Sequence, residues 1–162
     1  MGLQKQPSQS KKIFTIWSHI GSNNGLILEN QSFFYQTADR DLKSIITDFT
    51  QCLKEENRYL EKQLIKIGIK PTPALTVHSK AKIKPIRARI SNTDISASLS
   101  MNIATSLVTT STALSEAISE SNITRYAHIH MKKAIIGAKL IELSKKKKWL
   151  PSPTITQEIK SR

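Results

Sequence analysis

The sequence predicts an all-α protein, a four-helix bundle built from two helical hairpins. Apolar residues recur every three or four positions through four long segments, as on one face of a helix. A Pro-x-Pro motif closes residues 70–73 and, 80 positions later, residues 150–153. Each half therefore has the order helix, short loop, helix, prolines, which indicates an internal duplication. Neither hairpin can bury its apolar stripe alone, so we expect them to pack together with a long crossover, the ferritin-like connectivity.

The first helix is expected to begin at Lys11 with Ser10 as its N-cap, after a flexible tail over residues 1–10. The stretch "GSNNG", Gly21 to Gly25, places two glycines four residues apart on one face. They either permit close helix contact or weaken the helix, and a break into two helices is the competing interpretation. The apolar stripe is Ile13, Ile16, Trp17, Ile20, Ile27, Leu28, Phe34 and Tyr35.

The second helix completes hairpin one, residues 11–68. Asp39 and Asp41 suit its start through capping and the helix dipole, and Gly68 suits its end because Pro71 forbids continuation. Its charged residues, Glu56 among them, are expected to lie largely on the solvent side. Its apolar stripe is Leu42, Ile45, Ile46, Phe49, Leu53, Leu60, Leu64 and Ile67.

Residues 69–92 contain three prolines and alternating Lys and Arg, which predicts an extended crossover. Hairpin two, residues 93–150, follows, and residues 154–162 form a tail. Its first helix is expected from Thr93 to Ser119 and its second, after the connection "ESNIT" with Asn122 as N-cap, to about Lys147. The two apolar faces are Ile95, Leu99, Ile103, Leu107, Leu114 and Ile118, then Tyr126, Ile129, Ala134, Gly137, Leu140, Ile141 and Leu143.

Composition limits the class of protein. The single cysteine, Cys52, cannot form an internal disulfide, and no apolar run is long enough to span a membrane. We therefore expect a soluble protein of the cytoplasm. There are 25 Lys and Arg residues against 12 Asp and Glu, a formal net charge of +13, which favours acidic proteins, anionic surfaces or nucleic acid as partners.

Metal chemistry has little support in the sequence. A di-iron bundle needs paired Glu-x-x-His motifs, and no histidine here has an acidic residue three positions before it. We therefore predict no cofactor, no metal site and no catalytic residue. The remaining candidates for contact with a small ligand are His130, which the apolar stripe places nearer the core than His128, and the carboxylates Glu29 and Glu116.

Two basic clusters are candidates for polyanion binding. Residues 80–89 of the crossover carry five positive charges, and four more lysines end the last helix. Salt-dependent binding of phosphates would follow from such clusters, but no aromatic residue accompanies the crossover charges to stack on bases. The candidates are Lys80, Lys82, Lys84, Arg87 and Arg89, with Lys145, Lys146, Lys147 and Lys148.

Several motifs together resemble a family of small four-helix proteins of unknown function from endospore-forming bacteria, described as ferritin-like or as similar to spore coat protein F. The motifs are "IFTIW", "FFYQTADRDLKSII" and "HMKKAIIGAKLIELSKKKKWLPSP", and the resemblance covers residues 12 to 153. Within the fourth helix the pattern comprises Tyr126, His130, Lys133, Ala134, Gly137, Ala138, Lys139, Leu140, Trp149, Leu150 and Pro153. The resemblance implies a bundle and a place in the spore or its coat, and it implies no reaction.

Three hypotheses follow from the sequence. The first is a non-enzymatic structural or interaction protein that meets spore coat components or another acidic surface, with leftover apolar area that would allow a dimer. The second is a nucleic-acid-binding module that uses the basic crossover. The third is a degenerate metal- or ligand-binding bundle around His130.

Overall fold

The structure is a computed structural model that describes residues 7–71 and 89–150. Four helices make up this part of the chain: α1 (Pro7–Gln36), α2 (Arg40–Lys66), α3 (Asn92–Ser115) and α4 (Glu120–Lys146). The prediction of an all-α four-helix bundle is confirmed. No helix of the described residues is long and apolar enough to cross a membrane.

The helices stand at the corners of a square. α1 packs on α2 and α3 packs on α4, while α2 also borders α4 and α1 borders α3. At one end of the bundle, the Thr37 hydroxyl after α1 donates to Asn92 Oδ1 at the start of α3, at 2.7 Å. At the other end, Leu64 near the end of α2 clusters with Ile16 and Tyr126. Hence α2 and α3 both begin at the first of these two ends and run in the same direction along the bundle.

The bounds of the first hairpin agree with expectation except at its start. The Asp39 carboxylate accepts from the backbone N–H of Leu42 and caps α2, as predicted. Gly68, with φ +74°, follows the last turn as expected for a helix C-terminus. The prediction that α1 begins after Ser10 is wrong, because α1 starts at Pro7, and proline is favoured in a first helical turn, where its missing N–H costs nothing.

In the second hairpin, the end of α3 and the N-cap of α4 differ from the prediction. α3 ends at Ser115, so Ile118 is not part of its seam and is 91% exposed. The N-cap of α4 is Ser119, whose hydroxyl accepts from the N–H of Asn122. Asn122 is thus not the cap, because the serine three residues earlier accepts from its N–H. All of "ESNIT", residues 120–124, lies within α4 and none of it in the connection.

The core divides into two apolar clusters, one toward each end of the bundle. The larger cluster lies where α1 and α4 end, and the smaller one lies where α1 and α4 begin. Trp149 packs against the larger cluster from the end of α4. The larger cluster contains Phe33, Leu42, Ile45, Ile46, Phe49, Cys52, Leu53, Ile95, Leu99, Ile103, Ile129, Ile136, Leu140 and Leu143, and the smaller one Ile16, Ile20, Leu60, Leu64 and Tyr126.

The "GSNNG" stretch lies inside one continuous helix, so the break into two helices is not observed. A Cβ added at Gly21 or Gly25 would meet no atom within 4 Å, so these glycines do not serve close helix contact. The close approach occurs at Gly137 in α4, where an added Cβ would lie 3.3 Å from Ile103 Cγ2 of α3.

The predicted faces of three helices need correction. Tyr35 and Trp17 of the predicted α1 stripe are 84% and 44% exposed, and Ile67, which follows the last turn of α2, is 43% exposed. Ile141, expected on the inner face of α4, is 47% exposed, since that helix turns its Leu140 and Leu143 inward instead. Glu56, expected among the solvent-facing charges of α2, is completely buried. The burial of Glu56 is explained by the partners that surround its carboxylate.

Candidate functional site: a buried charged centre

The bundle encloses an ion pair between its two apolar clusters. Glu56 of α2 and Lys133 of α4 both have fully buried side chains. Lys133 Nζ lies 2.6 Å from Glu56 Oε2. Burial of either charge alone would cost several kcal/mol, so the two charges are tolerated here because they neutralise each other and are hydrogen-bonded further.

Helix α3 supplies the next partners. Thr110 Oγ1 lies 2.6 Å from Lys133 Nζ and 3.0 Å from Glu56 Oε1, so its hydroxyl bridges the two charged groups. The backbone carbonyl of Ser106, one turn earlier, lies 3.5 Å from Lys133 Nζ. Thr110 is completely buried and Ser106 is 2% exposed, which places both well inside the bundle.

Helix α1 completes the centre from the remaining side. Asn23 Nδ2 donates to Glu56 Oε2 at 2.9 Å and also to Asn57 Oδ1, and Asn57 in turn donates to Asn24. His19 Nε2 lies 3.2 Å from Glu56 Oε1, a close polar contact that is not aligned as a full hydrogen bond. All four helices therefore converge on the carboxylate of Glu56.

The electrostatics of the centre follow from these contacts. Burial acts to raise the pKa of Glu56, but His19 and Lys133 outweigh it and lower that pKa from 4.5 to about 2. The carboxylate is therefore ionised at neutral pH. Burial raises the pKa of the neighbouring Cys52 thiol to about 11, so this thiol stays protonated and a weak nucleophile.

Helical spacing brings these groups together. His19 and Asn23 are four residues apart on α1, and Ser106 and Thr110 are four apart on α3, so each pair shares one face. Glu56 takes a core position of α2 between Leu53 and Leu60. A charged residue within an apolar stripe is the signal from which sequence reasoning could have found this centre. The same reasoning missed Lys133, which lies four residues after the buried Ile129.

The arrangement has a definite chemical character. Glu56 accepts from Lys133, Asn23 and Thr110 and has His19 against its remaining edge. A carboxylate so engaged is a poor general base, because its proton affinity is low. What the centre does is tie four helices to one pair of charges.

The predicted ligand candidates do not join this centre. His130 is half-buried, Glu29 is exposed and accepts from Asn102 at 2.8 Å, and Glu116 is exposed at the C-cap of α3. Within residues 7–71 and 89–150, no three His, Cys, Asp or Glu side chains are grouped so that they could hold a metal ion.

The basic candidates fall partly within the structure. Arg89 and all four lysines that end α4 are exposed. Lys147 donates to Asp39 Oδ2 at 2.8 Å and so ties the end of α4 to the start of α2. The other crossover candidates, Lys80, Lys82, Lys84 and Arg87, lie outside the described residues.

The chain is similar in sequence and in fold to known bacterial proteins. The family described as "Protein of unknown function (DUF3231)" matches residues 2–160. The uncharacterized protein YvdQ of Bacillus subtilis is 28% identical over 154 residues, covering 94% of this chain and 91% of that protein. The crystal structure of a putative spore coat protein from Bacillus halodurans superposes with a TM-score of 0.78 at 35% identity, covering 88% of this chain and 91% of that one.

Proposed function

This chain belongs to the DUF3231 family of proteins of unknown function, and we propose that it is a non-enzymatic structural or interaction protein of the bacterial spore. The Bacillus halodurans protein that it resembles in sequence and fold bears the description of a spore coat protein. The likeness extends over most of both chains, so the resemblance concerns the whole bundle rather than a shared motif. A spore role also agrees with the resemblance of the fourth-helix motif.

The observation that carries the non-enzymatic part is the closed charged centre. Its charged groups are already hydrogen-bonded within the bundle. The Glu56 carboxylate accepts from Lys133, Asn23 and Thr110. The Lys133 ammonium donates to Glu56, to Thr110 and to the backbone carbonyl of Ser106. Buried polar networks of this kind can fix one arrangement of helices at the expense of others. We propose that the centre sets the register of a ferritin-like bundle whose connectivity arose by duplication.

The proposed partners are acidic. A net charge of +13 attracts anionic coat components or surfaces by long-range electrostatics. The exposed Arg89, Lys145, Lys146 and Lys148 are the described members of that basic surface.

Expression and fractionation test this proposal. We expect an epitope-tagged copy, made from its own promoter in an endospore-forming host, to appear during sporulation and to be extracted with the coat layers of purified spores. A protein present in vegetative cells and absent from spores would overturn the proposal. A tagged cytoplasmic enzyme of the same host serves as the control for contamination of the coat extract.

The nucleic-acid alternative is tested with the same purified protein. Retention of DNA or RNA at low salt that disappears at high salt would favour phosphate neutralisation over the structural reading. The matched control replaces Lys145, Lys146 and Lys148 with Gln and leaves Lys147 to hold Asp39.

A further inference from the structure

A cleft with a volume of about 330 Å³ opens beside the charged centre, at the end of the bundle where α1 and α4 begin. All four helices or their ends contribute to its lining. Apolar side chains form part of its wall, Ile16 and Leu60 being buried members of the smaller core cluster. Its polar lining includes Lys11, Lys12, His19, Gln63, Asn122 and Tyr126.

The cleft has a cationic outer end and an apolar interior. Lys11 and Lys12 lie in the first turns of α1 and are exposed, whereas Ile16 and His19 of the same helix are buried. From Lys12 to His19 the helix rises about 10 Å, close to the length of an eight-carbon chain. His19 forms the inner end, where its ring also contacts Glu56 of the charged centre.

A second cleft of about 360 Å³ continues the first one. The two share Lys12, Ile16, Gln63 and Asn122, and the second adds Lys66 from the end of α2, with Ile13 and Ile67 as apolar lining. Three lysines thus face one apolar track. Glu116 is the acid among the side chains that line either cleft, so the cations outnumber it.

Hydrogen-bond donors also line the first cleft. The Tyr126 hydroxyl accepts from Gln63 Nε2 at 3.3 Å, and the side-chain oxygen of Asn122 accepts from Tyr59. The amide of Asn122 and the hydroxyl of Tyr126 can therefore still donate to a ligand. Donors without matching acceptors suit an acceptor group such as a carboxylate.

We infer that this cleft binds a medium-chain monocarboxylate, with its carboxylate between Lys11 and Lys12 and its alkyl chain along Ile16 and Leu60 toward His19. A site with a few polar groups at one end and an apolar wall is the usual form of a small-ligand pocket. This inference does not depend on a role in the spore, since it rests on the lining of the cleft alone.

The first test is calorimetric titration of the full chain with sodium octanoate. We expect saturable binding of one octanoate per chain, with octylammonium and acetate each at least tenfold weaker, because the first has the wrong charge and the second lacks the apolar chain. Absence of octanoate binding at millimolar concentration, or equal binding of octylammonium, would overturn the inference.

Two variants locate the site. Ala113→Trp fills the cleft from α3 and should weaken octanoate at least tenfold, whereas Ala104→Trp, on the exposed face of the same helix, should not. The double variant Lys11→Gln/Lys12→Gln should bind octanoate about tenfold more weakly than the natural chain. Lys62→Gln, an exposed lysine away from the cleft, should leave the affinity for octanoate unchanged. Unchanged binding in either cleft variant contradicts the assignment, and thermal unfolding confirms that each variant is folded.

A spectroscopic readout separates this cleft from binding elsewhere. Octanoate should shift the imidazole resonances of His19, at the inner end, and leave those of the exposed His128 of α4 in place. Octanoate that shifts His128 and spares His19 would refute the location.

Discussion

Replacing Glu56 by Gln removes the charge on which four helices converge while keeping the shape of the side chain. It leaves Lys133 buried without its counter-ion, and breaking a buried pair in this way costs about 3–5 kcal/mol of unfolding free energy at neutral pH. The size of this loss should depend on pH, because only the natural chain can titrate at position 56.

The magnitude follows from the pKa of Glu56. The pKa of this carboxyl is about 4.5 in the unfolded chain and about 2 in the folded chain, and the difference corresponds to about 3 kcal/mol at about 1.4 kcal/mol per pKa unit. Because the folded-state pKa is the lower one, this stabilisation is complete above about pH 4.5 and is lost as the pH falls toward 2. About 2 kcal/mol of it should be gone by pH 3.

Urea denaturation of the natural chain and of Glu56→Gln between pH 7 and pH 3 provides the assay. The gap in unfolding free energy between the two proteins should narrow by about 2 kcal/mol over this range. Every other titrating group is present in both chains, so the pH dependence of the gap reports on Glu56 and the groups in direct contact with it. A gap that stays constant with pH would refute the reasoning.

A neighbouring carboxylate provides the matched control. Glu55 is partly exposed and lies 2.7 Å from Lys132 on the surface, so Glu55→Gln should cost no more than about 1 kcal/mol at pH 7. If Glu56→Gln alone fails to fold, the pair Glu56→Gln and Lys133→Met restores a neutral centre. Between pH 7 and pH 3 the natural chain should then lose about 2 kcal/mol of unfolding free energy relative to this double variant.

Three smaller predictions concern particular positions. Gly25→Ala should raise the unfolding free energy by about 0.5–1 kcal/mol in urea titration, because an added Cβ meets open space in mid-helix, whereas Gly137→Ala should gain less because its Cβ would crowd Ile103. Gly68→Ala should lower the melting temperature and cost about 1 kcal/mol, since φ is +74° there and L-residues resist that conformation. Cys52 should react with a thiol reagent at pH 8 only as the chain unfolds, because the thiol is buried and its pKa is raised to about 11.

The fold could be predicted from the sequence because apolar spacing and helix caps depend on residues that are close together in the chain. Asp39 and Gly68 bound α2 where their chemistry predicts. The N-cap of α4 was predicted wrongly as Asn122 and is Ser119, because either side chain can accept from a backbone N–H and local sequence does not distinguish them.

Sequence reasoning could have marked Glu56 as a charged residue within an apolar stripe, but it could not identify the partner of that charge. A glutamate is ordinarily exposed, and Glu56 becomes tolerable in a core only when Lys133, 77 residues away in sequence, reaches the same point. Local patterns carry no information about that meeting. The internal duplication and the ferritin-like connectivity stay predictions of the sequence.

The central claim is that Glu56 and Lys133 are coupled through a buried pair that holds the bundle together. A double-mutant cycle of Glu56→Gln and Lys133→Met, measured by urea denaturation at pH 7, tests it most directly. We expect a coupling energy of about 2–3 kcal/mol for the buried pair, against about 0–1 kcal/mol for the surface pair Glu55 and Lys132 in the same assay. Equal coupling in the two pairs would contradict it.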